Sequence, residues 1–145
     1  MKLDTRIAGA IGLSLAMLAS GGAHATDALI YKNPQCGCCE SYADYLRAND
    51  YDVTVKPTHE LSALSREHGL SEAYQGCHLA LIDGYFVSGH VPATVIEKLL
   101  TERPTIDGIT LPGMPQGSPG MSGTKREPWT ISAIDDGDPT VFVTE

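Results

Sequence analysis

Past residue 25 the sequence has no apolar run long enough to cross a membrane, which takes about 20 residues as a helix. Positive charge is also scarce. Ten Lys and Arg stand against 18 Asp and Glu, for a formal net charge of −8. That balance argues against nucleic acid and anionic membrane surfaces as partners. There is no internal repeat, no sign of a second domain, and no motif for NAD, flavin or haem. Any redox role would therefore need electrons from a partner. Cysteine is rare as well, with four in the chain, yet three of them fall within four positions.

The one long apolar run lies at the start. Lys2 and Arg6 are followed by an almost unbroken apolar stretch over residues 7–19, then small residues ending in Ala23-His24-Ala25. A basic start, a short apolar centre and an A-x-A end are the features of a secretory signal peptide. Residues 1–25 are expected to be removed, leaving 26–145 as one compact domain with its own core. No cysteine lies near the cleavage site to carry a lipid, and no Arg-Arg pair marks an alternative route. Nothing in the remainder calls for membrane insertion.

Along that remainder, residues 28–32 read as a short buried strand ending at Asn33-Pro34. After Cys36-Gly37-Cys38-Cys39, the apolar positions Cys39, Tyr42, Ala43, Tyr45 and Leu46 have helical spacing, with Glu40 in the first turn where the helix dipole favours it. Tyr51, Val53 and Val55 alternate as a strand does. A helix over residues 59–68 would turn Leu61 and Leu64 inward and close at Gly69, with a further helical turn over 70–75. Residues 79–82 and 85–87 flank Asp83-Gly84, a tight hairpin signal. Pro92 is placed at the first position of a last helix whose Val95, Ile96, Leu99 and Leu100 face in. The order β-α-β-α-β-β-α points to an α/β fold of thioredoxin-like architecture. Residues 104–128 are rich in Gly and Pro and read as a loop that holds neither helix nor central strand. Residues 129–134 and 140–143 form a C-terminal β-hairpin.

Three chemistries compete for the cysteines. A structural disulfide is limited to one long-range bridge, from Cys77 to one of Cys36, Cys38 and Cys39, and leaves two thiols unexplained. A redox pair, Cys36-x-x-Cys39, would sit at a helix N-terminus where amides lower thiol pKa, but Cys38 between the two would interfere with clean exchange. A soft-metal site uses all of them. Thiolates favour copper(I), zinc or iron–sulfur chemistry, and C-x-C with C-C spacing lets each sulfur bridge ions. In a thioredoxin-like chain the loop before the third strand packs on the C-x-x-C turn, and Cys77-His78 occupies that loop. Adjacent Cys38 and Cys39 suit one tetrahedral zinc poorly. A multinuclear copper(I)–thiolate site fits the crowding better.

The histidines divide. His24 leaves with the signal, and His59 and His68 fall on a helix surface. His78 adjoins Cys77, and His90 either caps the last helix or serves the site. Met114 and Met121 offer thioethers that suit copper(I), or simply pack the loop on the core.

Taken together, Asn33-Pro34-x-Cys36-Gly37-Cys38-Cys39, Cys77-His78, Gly84-Tyr85, Gly89-His90-Val91-Pro92 and Leu111-Pro112-Gly113-Met114-Pro115-x-Gly117-Ser118-Pro119-Gly120-Met121 resemble the CopG copper-resistance family. These are exported bacterial proteins, unrelated to the DNA-binding repressors of the same name. The resemblance implies a thioredoxin-like, periplasmic protein with a cysteine-bridged multinuclear copper cluster. It makes Cys36, Cys38, Cys39 and Cys77 copper thiolates, and puts His78, His90, Met114 and Met121 at family motif positions. Two roles follow as expectations: copper(I) binding for resistance, with handover to a periplasmic carrier or efflux system, or an oxidoreductase that cycles copper or exchanges disulfides. Binding is the favoured expectation, because catalysis also demands an open coordination position and an electron donor.

Overall fold

The computed structural model describes residues 24–145. The expected signal peptide lies almost wholly outside them. The chain begins with β1 (Thr26–Lys32), α1 (Gly37–Arg47), β2 (Tyr51–Pro57) and α2 (Leu61–Glu67). A 3-10 turn at Glu72–Tyr74 leads to β3 (His78–Ile82), β4 (Tyr85–Gly89) and α3 (Ala93–Glu102). It ends with β5 (Gly108–Leu111), β6 (Thr130–Asp135) and β7 (Asp138–Thr144).

All seven strands join one mixed sheet in the order β2-β1-β3-β4-β5-β6-β7. β1 runs parallel to β2 and antiparallel to β3, and β3 and β4 form the hairpin around Asp83-Gly84. Both turn residues take positive φ, at 46° and 89°, as the tight turn requires. The expected element order through α3 is therefore present, within a mixed α/β fold. α1 buries Cys39, Tyr42, Ala43 and Leu46, and α3 buries Val95, Ile96 and Leu99, both against one sheet face. α2 and the 3-10 turn cover the other face through Leu61, Leu64 and Tyr74, packed on Leu70, Leu79, Phe86 and Ile134. β3 contributes to the core on both faces, through Ala80 and Ile82 on one and Leu79 on the other.

Two expectations change. The segment 104–128 does supply a strand in the interior of the sheet: β5 pairs parallel with β4 and antiparallel with β6, and all four of its residues are buried. Its Ile109-Thr110-Leu111 core carries no proline, so the backbone donors a ladder needs are present. The C-terminal hairpin then extends the same sheet, with Pro139 on the edge strand β7, where a missing donor is tolerated. Pro92 precedes α3 as its N-cap, φ −60° and ψ 144°, one position earlier than expected. Its carbonyl accepts from Val95 and Ile96 N–H.

Candidate metal centre

Strand directions bring the chemistry to one end of the sheet. β1 finishes at Lys32, β3 begins at His78, β4 finishes at Gly89 and β5 at Leu111, all at that end. Between β1 and α1 the Asn33 side chain accepts from Gln35 N–H, and the Asn33 carbonyl from Cys36 N–H, which closes a turn. Cys36 becomes the N-cap of α1, and Cys38 and Cys39 fall in its first turn. Cys77 is set against them from the loop just before β3.

One ligand atom from each of Cys36, Cys38, Cys39 and Cys77 lies within 4.8 Å of the others. Cys36 and Cys39 are joined as a disulfide, while Cys38 and Cys77 are free. The bridge thus closes inside the C-x-x-C pair, not between Cys77 and the motif. Cys38 Sγ stands 3.4 Å from Cys36 Sγ and 3.8 Å from Cys77 Sγ, and Cys39 Sγ is 3.3 Å from Cys77 Sγ. Cys39 is fully buried; the other three are half-buried. Burial, followed by the neighbouring Cys38, pushes the Cys77 thiol up.

Two histidines complete the arrangement. His90 Nδ1 is 2.6 Å from the Pro119 carbonyl. Assigning that nitrogen the proton leaves the Nε2 lone pair facing Cys77 Sγ at 3.2 Å. His78 is fully buried, with Nδ1 at 3.7 Å from Cys77 Sγ and Nε2 without a hydrogen-bond partner. Burial, then the nearby His90, holds its pKa down at about 3, so the ring is neutral. Cys77, His78 and His90 form a second group with ligand atoms within 4.8 Å. The neutral ring turns Nδ1 toward Cys77 and leaves Nε2 buried without a partner, so its bonding capacity is not used up within the protein. His90 does not cap α3, whose N-cap makes no side-chain bond.

Backbone contacts explain the convergence. A Cβ on Gly76 would lie 2.5 Å from Gly89 N, so only glycine lets the two chains approach and sets Cys77 beside His90. Gly120 is equally constrained: a Cβ there would lie 2.7 Å from Tyr42 N and 3.0 Å from Cys38 O. The Gly/Pro/Met loop thereby rests on the first turn of α1. Met121, next to Gly120, is half-buried, whereas Met114 is 40% exposed with φ at 46°. The structure brings the four cysteines and two histidines together and leaves Met114 facing outward on its turn. His59 and His68 are exposed, as expected.

Sequence reasoning missed two contributors. Tyr42 stacks on His78 at 4.5 Å between centroids, meets His90 edge-on at 5.3 Å, and donates its hydroxyl to Val91 O at 2.8 Å. Lys32 is 2% exposed, with its ammonium held under the cysteine turn. Its inward register after Ala28 and Ile30 was the available signal.

Among the described residues no helix is long and apolar enough to cross a membrane. A family described as a protein of unknown function, DUF411, matches residues 74–121, a span holding Cys77, His78, His90 and the Gly/Pro/Met loop but not Cys36, Cys38 or Cys39. No curated protein matches. A solved structure described as copper resistance protein copG, form 2, is 34% identical, covers 83% of this chain and 98% of its own, and superposes with a TM-score of 0.76. Form 1 is 35% identical, with coverage of 82% and 96% and a TM-score of 0.75.

Proposed function

Since the chain belongs to the CopG copper-resistance family, we propose that it binds copper(I) at Cys36, Cys38, Cys39 and Cys77 as a multinuclear copper–thiolate site. The observation that carries this reading is the convergence of four sulfurs, from chain positions 39 residues apart, within 4.8 Å. Polarisable thiolates at that spacing suit a soft monovalent ion and can bridge several. Reduction of the Cys36–Cys39 bond is required first, since a disulfide sulfur is not a thiolate ligand. Binding copper displaces the proton that burial favours on Cys77. His78 and His90 supply neutral imidazole nitrogens at the edge of the sulfur group, with the Pro119 carbonyl orienting the latter. In this reading Met121, whose loop rests on the first turn of α1 through Gly120, shields the site.

In this reading the protein is exported, residues 1–25 being its signal peptide, and works in the periplasm in copper resistance. It sequesters copper or passes it to a carrier or efflux system. The test is anaerobic titration of the reduced protein with copper(I), following thiolate-to-copper charge transfer and counting bound metal. Several ions per chain are expected, with at least half lost in Cys38→Ser while the far-UV circular dichroism is unchanged. One ion or none, or an unaltered count in the variant, overturns the cluster.

A second reading, thiol–disulfide exchange by Cys36-x-x-Cys39, has the disulfide in its favour. Against it, Cys38 and Cys77 lie within 3.4 and 3.3 Å of the pair, where a free thiol competes with substrate for the bond. Efficient catalysis of disulfide reduction in a test protein, with no copper bound, would favour this alternative.

A further inference from the structure

Lys32 is the one charged side chain buried at the cysteine end among the described residues. Its Nζ donates to the carbonyls of Asn33, Pro34 and Cys36 at 3.3, 3.3 and 3.4 Å, and pairs with Glu40 Oε1 at 2.9 Å. The three carbonyls belong to the turn that presents Cys36, and Glu40 follows Cys39 directly in α1. Burying an ammonium costs several kcal/mol before its partners compensate. Shaping the turn needs only a donor, and a neutral one would avoid that cost. The fixed positive charge has a use where negative charge gathers on sulfur. Glu40, with 56% of its side chain exposed, neutralises the ammonium only in part, because water screens a half-exposed carboxylate.

We propose that Lys32 and Glu40 are positioning residues that set the electrostatic field at the cysteine turn, Lys32 favouring the reduced, anionic sulfurs and Glu40 opposing it. The inference rests on the thiolate-site reading for its purpose, but its physical content concerns the sulfurs alone. Opening the bond takes two electrons from an external dithiol. The Cys36–Cys39 bond breaks and the dithiol closes to its own disulfide; one of its protons passes to a released sulfur and the other to solvent, which leaves one sulfur as a thiolate. Positive charge nearby stabilises the reduced side of that exchange, as the field around redox cysteines generally does.

The experiment equilibrates the full-length, copper-free protein in graded mixtures of reduced and oxidised dithiothreitol at one pH, and counts alkylated thiols by mass. Lys32→Met is expected to shift the equilibrium threefold to tenfold toward the disulfide, about 15 to 30 mV at 29.6 mV per tenfold. Glu40→Gln, an exposed and isosteric change, is expected to shift it at least twofold toward the dithiol. Opposite signs are the signature of charge, because a loosened turn would move both variants the same way. Shifts of one sign, or none, overturn the proposal. Should Lys32→Met not fold, Glu40→Gln decides alone: no movement toward the dithiol overturns it. Copper counted on the reduced wild type in parallel separates the two readings. An absence of copper with opposed shifts sinks the copper site and leaves the field intact, whereas full loading with unmoved potentials does the reverse.

Discussion

The two ends of the sheet are built from similar parts and gather different chemistry. At one end, glycines precede reactive residues: Gly76-Cys77 and Gly89-His90 lie against each other so closely that a Cβ on Gly76 would strike the Gly89 backbone. At the other, glycines follow aspartates in Asp83-Gly84, Asp107-Gly108 and Asp136-Gly137, and the first and last of these simply reverse the chain. The far end even has the more conspicuous groove, about 610 Å³, lined by His68, Phe86, Asp107 and Asp136 among others. Yet its polar groups are exposed or already paired, as Asp107 is with the Asp136 N–H. The cysteine end instead buries a neutral histidine with an unpartnered nitrogen. Unsatisfied chemistry, not open volume, distinguishes the end that holds the candidate site.

That contrast breaks most sharply at glycine. Gly76→Ala must push apart backbone at 2.5 and 2.6 Å from the new Cβ, which costs about 2 to 3 kcal/mol. It should also cut copper loading by more than half, because Cys77 moves away from α1. Gly84→Ala meets no atom within 4 Å and suffers only from its φ of 89°, about 1 kcal/mol. Urea unfolding and metal counting on both variants check this. Equal loss of copper would mean the ends are coupled, and the contrast would fall.

A smaller effect separates two histidines. His90→Ala removes a nitrogen facing Cys77 and the bond to Pro119 O that ties the loop to the site. Copper(I) affinity, measured by competition with a chromophoric chelator, should weaken tenfold to a hundredfold. His68→Ala, beside the far groove, should change it less than twofold. An unaltered affinity in His90→Ala would take His90 out of the site and leave the cysteines and His78.

How much of this could be read beforehand follows the range of the interactions. Alternation and helical spacing are local, so β2, α1 and the Asp83-Gly84 hairpin lie where the sequence puts them. The placing of Cys77 needed one long-range step, the loop before β3 meeting the turn before α1, and the order of elements was enough for that. β5 was hidden because composition was averaged over residues 104–128, and four buried residues were lost among glycines and prolines. The orientations of His78 and His90 depend on Tyr42, Pro119 and the Gly76–Gly89 approach, which come from three separate stretches of chain. Lys32 was placed in the buried first strand, but a strand pattern does not say which partners a buried ammonium finds, and the carbonyls of the cysteine turn come from the chain beyond it.

The smallest expected effect lies at the far end and follows from two opposing costs. Arg103 ends α3 with φ 49° and ψ 48°, a left-handed conformation that glycine adopts without strain and arginine does not. Arg103→Gly should recover about 1 kcal/mol there. Against that, its guanidinium bonds Asp83 Oδ2 at 2.6 Å and lies 5.5 Å from the Tyr85 ring. Both ion-pair side chains are more than half exposed, so the pair contributes under about 1 kcal/mol, and the exposed ring contact about 0.5. The terms nearly cancel, and urea unfolding should place the variant within about 0.5 kcal/mol of wild type with copper loading unchanged. A loss of 2 kcal/mol or more would mean the far end is held by its charges, and that its quiet comes from pairing strong enough to matter. A loss of copper would mean that strain at the end of α3 reaches His90 through the helix, and the two ends would then have to be treated as one site.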